Sequence, residues 1–316
     1  MGNCKDTLFY TDVRLFGCAA VTGDNFCITP TIIRMNDAKR LLGFYAHPDD
    51  EILSPGGTVA KYAQAGAQIE WVCATRGEAG EIADPALATP ENLGQVREKE
   101  MLCSAQTLGI RRVHFLGYRD SGMAGTADNQ HPQAYVNSDP EEVTPRLVKI
   151  IRCFRPQVAL TFEPWGGYGH PDHITIHKHT HLALQAAADP GYHPELGEAW
   201  QISRLFYPLL RHAFFYALRD KMAARGLDVS FFDQLEERRK NSWPDGKYHC
   251  VIDVRDSFDR KWAAFQCHAT QFGPDNIFRQ LPKAEMAELL TREYFALAWP
   301  EPEPGLLWED LFAGLK

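Results

Sequence analysis

The fold is decided by the stretch Leu41-Leu42-Gly43-Phe44-Tyr45-Ala46-His47-Pro48-Asp49-Asp50-Glu51. Its first six residues are apolar or small and predict a short buried strand, and a cluster of polar residues follows directly. Residues 58–65 then read as a helix that ends at Gly66, and residues 69–74 read as the next strand. This strand–helix–strand order predicts a pair of parallel strands, with polar side chains at the carboxyl end of the first.

The same alternation continues through the first half of the chain. Helices are predicted over residues 92–108 and 141–154, and strands over residues 113–116 and 158–162. We therefore expect an α/β fold with a mostly parallel sheet and helices on both faces.

The remaining segments complete the predicted layout. The C-terminal third is less regular, with strands predicted over 205–210 and 250–254, a helix over 257–272 and a polar surface loop over 239–247. Residues 1–34 are expected to be an N-terminal extension, and residues 35–316 the functional domain.

Composition excludes several classes of partner. The chain has 316 residues and a formal net charge of -8, and basic residues do not cluster. A nucleic acid or an anionic membrane surface is therefore not an expected partner, because both require clustered positive charge. The eight cysteines form no Cys-x-x-Cys pair, which argues against a structural zinc knuckle and predicts free core thiols in a cytoplasmic protein.

The carboxyl ends of the predicted parallel strands should share one edge of the sheet, where ligands bind in such folds. A second polar cluster, His170-Pro171-Asp172-His173, lies just beyond the fourth strand. A catalytic zinc site needs about three protein ligands and one open position for water. His47, Asp50 and His173 can provide two imidazoles and one carboxylate, so they are the candidate metal ligands.

Four further residues have candidate roles in catalysis. Asp49 is left as a carboxylate beside the metal, and such a group can take a proton from a water whose pKa the metal has lowered. His170 can stabilise an oxyanion and protonate a leaving amine, provided that Asp172 or another carboxylate keeps it charged. Tyr168, between glycines at 167 and 169, can donate its hydroxyl proton to the same oxyanion.

Other interpretations of these residues remain open. A histidine followed by proline and acids can be a capped turn, although two such clusters at two strand ends are harder to explain in that way. The second histidine group, residues 177, 179 and 181, is interpreted as ordinary surface or capping residues. No Gly-x-Ser-x-Gly or early Gly-x-Gly-x-x-Gly motif occurs, which argues against a serine hydrolase and a nicotinamide enzyme.

At these motifs the chain resembles the LmbE/PIG-L family of N-acetylglucosaminyl deacetylases. The resemblance covers roughly residues 40–272, and both clusters, 47–51 and 170–173, match the family's signatures in full. Further matches are residues 75–81, 117–123 and 268–271.

The resemblance implies a Rossmann-like fold, zinc bound by the three ligands named above, and a general base at the position of Asp49. It also implies that Arg76 binds sugar hydroxyls or a phosphate, and that Asp120 and His268 contact substrate. Arg76 can equally be an ion-pair partner, Asp120 can stabilise a turn, and His268, placed within a predicted helix, can serve local packing.

Within the family, residues 118–123 and the loop around Tyr168 are most similar to the mycothiol-pathway deacetylases, which act on N-acetylglucosaminyl-inositol. The expected function is hydrolysis of the N-acetyl group of a small amino-sugar substrate. Open alternatives are an amidase of thiol conjugates, a deacetylase of chitobiose-like or antibiotic-linked sugars, and a metal- or sugar-binding module without turnover. The sequence leaves open zinc against ferrous iron, and whether the chain forms a homo-oligomer.

Overall fold

The computed structural model describes residues 10–12 and 38–315. Their central feature is an eight-stranded sheet with the order β1-β4-β3-β2-β5-β6-β8-β7. The strands are β1 (Tyr10–Asp12), β2 (Arg40–Tyr45), β3 (Gln68–Thr75), β4 (Arg112–Tyr118), β5 (Val158–Thr161), β6 (Arg204–Leu209), β7 (Cys250–Asp253) and β8 (Arg292–Trp299).

Five adjacent strands, from β4 to β6, run parallel, whereas β1 and β8 pair antiparallel with their neighbours. The chain order reverses at β2, which lies between β3 and β5. Ligands bind at such a switch point, beyond the carboxyl ends of the strands. The sequence prediction of a mostly parallel α/β fold is confirmed, and both polar clusters lie at this switch point.

Helices lie on both faces of the sheet because consecutive strand residues point to opposite sides. Leu41 and Tyr45 of β2 pack with one group of helices, whereas Leu42 and Phe44 pack with another. The helices are α1 (Gly56–Gln64), α2 (Leu93–Leu108), α3 (Pro140–Phe154), the short α4 (Gly166–Gly169), α5 (Pro171–Ala188), α6 (His212–Ala224), α7 (Phe231–Arg239), α8 (Phe258–Cys267) and α9 (Lys283–Leu290). Helices α1, α2 and α8 cover the first face, and α3 and α5 cover the second.

The C-terminal third differs most from the sequence prediction. The predicted strands are present as β6 and β7, but β8 was not predicted and joins them in the same sheet. Helix α8 ends at Cys267, so the predicted helix over 257–272 is too long. Helix α7 ends at Arg239, the first residue of the predicted polar loop. Helices α6, α7 and α9 enclose a third apolar cluster around Leu218 and Met286.

A disulfide joins helices α2 and α8. Cys103 of α2 and Cys267 of α8 form a disulfide with a Cα–Cα distance of 5.8 Å, which is in the usual range. The expectation of free core thiols is therefore wrong for this pair, while Cys73 and Cys250 are free and buried.

The structure describes only a short part of the predicted N-terminal extension. Only the edge strand β1 belongs to the predicted extension over residues 1–34, and it pairs with β4; the rest of that extension lies outside the described residues. Within the described ranges, no helix is long and apolar enough to cross a bilayer.

Candidate metal centre and active site

The loop after β2 is folded tightly around the carboxylate of Asp50. One oxygen, Oδ2, accepts hydrogen bonds from the backbone amides of Ala46 (3.1 Å) and His47 (2.8 Å). Asp49, next to it, has a φ of 112°, which is rare for a residue with a side chain. Backbone strain of this kind persists where surrounding contacts impose it, and it concentrates at functional sites.

The second cluster begins helix α5. His170 is the N-cap, and its Nδ1 accepts from the amide of Asp172 (3.2 Å). His173 lies in the first turn, where its Nδ1 donates to the carbonyl oxygen of Gly166 (2.9 Å). A side chain at Gly166 would place its Cβ 2.4 Å from that of His173, so only glycine allows this approach.

The three predicted ligands converge on one point. His47 Nδ1 lies 3.2 Å from His173 Nε2 and 3.8 Å from Asp50 Oδ2, and His173 Nε2 lies 3.3 Å from Asp50 Oδ1. Bonds of 2.0–2.2 Å to a tetrahedral zinc ion separate neighbouring ligand atoms by about 3.3 Å. The spacing of these donor atoms therefore suits such an ion.

In both His47 and His173, the ring nitrogen that points away from the triangle is hydrogen-bonded, so the lone pair of each ring is on the nitrogen that points into the triangle. His47 Nε2 faces Asp172 Oδ2 at 3.2 Å and Asp120 Oδ1 at 3.5 Å, and a carboxylate can only accept. His173 Nδ1 is bound to a carbonyl oxygen, so both inner nitrogens carry lone pairs directed at the same point as Asp50. A carboxylate or carbonyl behind each histidine ligand is the usual support of a metal site.

Two other groupings of donor atoms are close enough to hold an ion: His47, His170 and His173, and His47, Asp120 and Asp172. In the first, the Nδ1 of His170 is already bound to a backbone amide. In the second, the oxygens of Asp172 are bound by the amide of Ser121 (2.9 Å) and by its hydroxyl. In the triangle that includes Asp50, Oδ2 is bound by two backbone amides, but Oδ1 accepts no backbone amide among the described residues, so this oxygen and the two inner nitrogens can face a metal ion.

Asp49 lies beside this triangle, in contact with a buried arginine. Arg97 of α2 donates to Asp49 Oδ2 (2.9 Å) and to the carbonyl oxygens of Pro48 (2.7 Å) and Gly77 (2.9 Å). Burial raises the pKa of Asp49 to about 6, against the opposing effect of Arg97. A carboxylate with such a pKa can accept and return a proton near neutrality.

His170 and Tyr168 both adjoin the metal triangle. Asp172 does not pair with His170, because its carboxylate is bound to Ser121 and His47 instead. The carboxylate that faces His170 is Asp120, whose Oδ1 lies 3.9 Å from Nε2. Burial and the neighbouring imidazoles lower the pKa of His170 to about 2. Its Nδ1 accepts a hydrogen bond, so the proton of the neutral ring is on Nε2. Burial also raises the pKa of Tyr168, whose hydroxyl therefore remains a donor.

The residues predicted to bind substrate are not brought together. Arg76 is half-exposed and pairs with Glu98, with 2.8 Å between its Nε and Oε2. Asp120 is buried behind the two imidazoles, with its Oδ1 3.5 Å from His47 Nε2 and 3.9 Å from His170 Nε2. His268 is completely buried at the C-terminal end of α8, where its Nε2 lies 2.6 Å from Glu51 Oε1. Neither Asp120 nor His268 lines the cavity beside the metal triangle, and contact of either residue with substrate stays a prediction.

Several residues of the site were missed in the sequence. Glu51 accepts the amide of Asp49 (3.0 Å) and the hydroxyl of Ser104, and the carboxylate of Glu163 binds two amides of the loop before His170. Arg97 left a recognisable signal, since it occurs four residues before Met101 on the buried stripe of α2. A charged residue on an apolar stripe indicates a buried partner.

The site opens into a cavity of about 320 Å³. Asp49, Asp50, His173 and Tyr168 lie at one end of it, and aromatic and aliphatic residues of the C-terminal third line the other. This size is at the lower end of the range for small-molecule pockets. The apolar part of the lining includes Phe215, Phe231, Leu235 and Phe278.

Comparison with solved structures shows the fold. The chain is similar to an N,N'-diacetylchitobiose deacetylase from Pyrococcus horikoshii, with a TM-score of 0.57, 23% identity, and coverage of 83% of this chain and 84% of that one. It is equally similar in fold (TM-score 0.57, 19% identity, 85% and 99% coverage) to GalB, a 4-carboxy-2-hydroxymuconate hydratase from Pseudomonas putida. Fold alone therefore does not determine the activity.

Sequence comparison is more specific. Residues 42–184 match the family described as "PIG-L: GlcNAc-PI de-N-acetylase". The chain is 38% identical over 293 residues to a 1D-myo-inositol 2-acetamido-2-deoxy-alpha-D-glucopyranoside deacetylase of Geodermatophilus obscurus, covering 89% of this chain and 99% of the relative. A Streptomyces scabiei protein with the same name is 37% identical, with 87% and 90% covered. The chain therefore belongs to the PIG-L family of de-N-acetylases, as the sequence motifs indicated.

Proposed function

We propose that this protein hydrolyses the N-acetyl group of an N-acetylglucosamine-containing substrate, with N-acetylglucosaminyl-inositol as the preferred one. The observation that carries the proposal is the convergence of His47, Asp50 and His173 within 3.8 Å of one another, with the carboxylate of Asp49 beside them. The two relatives named above, both deacetylases of this sugar–inositol conjugate, support the substrate.

His47, Asp50 and His173 would hold a divalent ion, and zinc suits their donor set and spacing. When bound, such an ion lowers the pKa of water and polarises a carbonyl group. Ferrous iron accepts the same ligands, so the choice between the two metals is a separate question for metal analysis.

The residues around the metal ligands have separate roles: one transfers protons, and two stabilise the negative charge that develops on the acetyl oxygen. Asp49 takes the proton of the attacking water, because its pKa of about 6 lets it act as a base at neutral pH. The hydroxyl of Tyr168 and the Nε2–H of His170 donate hydrogen bonds to the oxyanion that forms. Since His170 is neutral, Asp49 is also the group that returns the proton to the departing amine.

The test compares two neighbouring carboxylates by the same substitution. Acetate release from N-acetylglucosaminyl-inositol and from N-acetylglucosamine is measured for the zinc-loaded and chelated protein, together with zinc content. Asp49→Asn should retain zinc and lose about 100-fold or more in kcat, as expected for a lost general base. Asp50→Asn should lose both zinc and activity. Retained activity in chelated protein, or in Asp49→Asn, would contradict the proposal.

A second candidate is an amidase that acts on conjugates with an apolar group. The observation that favours it is the apolar end of the cavity, lined by Phe215, Phe231 and Phe278. Including an N-acyl thiol conjugate in the same assay decides between them: a kcat/KM higher than for the sugar–inositol substrate would favour the amidase.

The cytoplasmic location remains a prediction, since a disulfide such as Cys103–Cys267 is uncommon in reducing compartments.

A further inference from the structure

The loop between β5 and α5 carries two groups of the proposed site. Tyr168 lines the cavity with its ring 5.1 Å from that of His173, and the carbonyl oxygen of Gly166 orients the metal ligand His173. The loop backbone is irregular: Gly166 and Gly167 have φ values of 69° and 78°, and Tyr168 departs from helical geometry. Its position must therefore be set by contacts with other parts of the chain.

Glu163 holds the loop on one side. Its carboxylate is 5% exposed, and it accepts hydrogen bonds from the amides of Trp165 (2.8 Å) and Gly167 (2.7 Å). These contacts are local, since all three residues lie within five positions. They fix the turn but do not fix its orientation relative to the cavity wall.

Helix α7 provides a second set of contacts to the loop, across a separation of more than 70 residues. The Nη1 of Arg239, the last residue of α7, donates to the carbonyl oxygen of Gly167 (3.1 Å). The indole of Trp165 donates to the backbone carbonyl oxygen of Arg238 (3.0 Å). Arg239 also donates to the carbonyl oxygen of Leu210, next to the end of β6, so it joins the loop to the sheet as well as to α7.

Stability alone does not account for a cation at position 239. Its side chain is 7% exposed and lies over the ring of Phe215 at 4.5 Å. Among the described residues, no carboxylate oxygen lies within ion-pairing distance of its guanidinium. Glu163 and Asp245 stabilise this charge only at longer range, against a burial that lowers the pKa of Arg239 to about 10. A buried cation without a close partner is costly, and an apolar side chain would pack against the ring at a lower cost. An apolar residue at position 239 could not donate hydrogen bonds to the carbonyl oxygens of Gly167 and Leu210.

We propose that Arg239 is a positioning residue for Tyr168. It holds the 165–168 loop together with Glu163, so that the tyrosine hydroxyl faces the acetyl carbonyl in the cavity. Arg239 does not itself touch the reacting atoms. The inference rests on the proposed function, because the position of Tyr168 matters for catalysis only if the protein cleaves an acetamide.

A double-mutant cycle tests this dependence. Arg239→Gln is made in the wild type and in Tyr168→Phe, and kcat, KM and zinc content are measured with N-acetylglucosaminyl-inositol. We expect Arg239→Gln to lower kcat about tenfold in the wild type, a typical effect of losing a residue that supports a site. In Tyr168→Phe, which lacks the hydroxyl, the same change should lower kcat less than about twofold, because coupled residues are not additive. KM and zinc content should stay within about twofold in both backgrounds.

The matched control is Arg219→Gln, which makes the same substitution at an exposed arginine of α6 and should leave kcat unchanged. If Arg239→Gln does not fold, Arg239→Lys replaces it, and its smaller loss should likewise disappear in Tyr168→Phe. Equal losses of kcat in both backgrounds would overturn the inference, as would a raised KM with kcat intact, which would make Arg239 a substrate ligand. Full activity of Tyr168→Phe would overturn it too. A wild-type protein that releases no acetate would instead refute the proposed function.

Discussion

Replacement of His268 tests whether this residue binds the sugar, as the sequence resemblance implies, or supports Asp49 through Glu51, as the structure indicates. The imidazole is completely buried, and its Nε2 lies 2.6 Å from Glu51 Oε1. The other carboxylate oxygen of Glu51 accepts the amide of Asp49 at 3.0 Å. His268 is thus two hydrogen bonds away from the proposed general base. It acts on Asp49 by fixing Glu51 and, as a nearby positive charge, by lowering the pKa of Asp49.

The magnitude follows from those contacts. A hydrogen bond to a charged group contributes about 1.5–3 kcal/mol, and removing one partner leaves the buried carboxylate of Glu51 less well satisfied. With the void left by the ring, we expect His268→Ala to lower the free energy of unfolding by roughly 2–4 kcal/mol. At about 2–4 °C per kcal/mol, the melting temperature should fall by roughly 4–16 °C. The kcat should fall about 10- to 100-fold because Asp49 is held less well.

The assay is thermal unfolding together with kcat, KM and zinc content, for His268→Ala and for His268→Gln. The glutamine retains an N–H donor and should recover part of both the stability and the kcat. KM and zinc content should change less than about twofold in either variant. A large rise in KM with unchanged kcat and stability would refute this reasoning, since it would mean that His268 binds the sugar, as the sequence resemblance implied.

Two further predictions concern stability. Lys261→Met breaks a buried ion pair in which the lysine Nζ lies 2.7 Å from Glu293 Oε1. The free energy of unfolding in urea should fall by about 3–5 kcal/mol, because the carboxylate is left buried without its partner, and the double variant Lys261→Met, Glu293→Gln should lose less. Equal losses in the single and double variants would show that the unpaired charge is not the cause. Cys103→Ser removes a bond between residues 164 positions apart, and the chain-entropy relation gives a loss of up to about 5 kcal/mol, measured by urea unfolding without reductant. An unchanged midpoint for Cys103→Ser would indicate that the two thiols are not bonded in solution.

The parallel core of the fold was predictable because its signals are local. Helix α2 ends where Gly109 adopts a left-handed φ of 83°, and α3 begins where the side chain of Asp139 accepts the amide of Glu141. Each of these boundaries depends on residues within a few positions. The strands between them are short apolar runs, which the sequence displays directly.

Strand β8 was not predictable in the same way. It begins with Arg292 and Glu293, and the buried Glu293 gives the segment a polar start that does not read as a strand. Its antiparallel partner β6 is distant in the sequence, with Phe206 opposite Leu297. A strand whose identity depends on such a partner has no local signal strong enough to identify it.

The convergence of His47, Asp50 and His173, the candidate metal ligands, was predictable for a related reason. Each belongs to a short polar motif that follows a strand, and the topology of a parallel sheet brings such motifs to one edge. The prediction was weaker for residues that act through other residues. The resemblance assigned Asp120 and His268 to the substrate, but a motif does not show which way a side chain faces, and both side chains are buried without lining the cavity.

The motifs are therefore necessary for the site but do not complete it. Asp49 has a φ of 112° beside the metal triangle, a conformation that the motif itself does not favour. Arg97 of α2 holds its carboxylate, and Glu51, supported by His268 from the far end of α8, holds its amide. A chain with both motifs but without these partners could still bind a metal through Asp50, yet its general base would be free to relax away from the water. The partners of Asp49, more than the motifs, separate a deacetylase from the non-catalytic metal-binding module that the same motifs would otherwise allow.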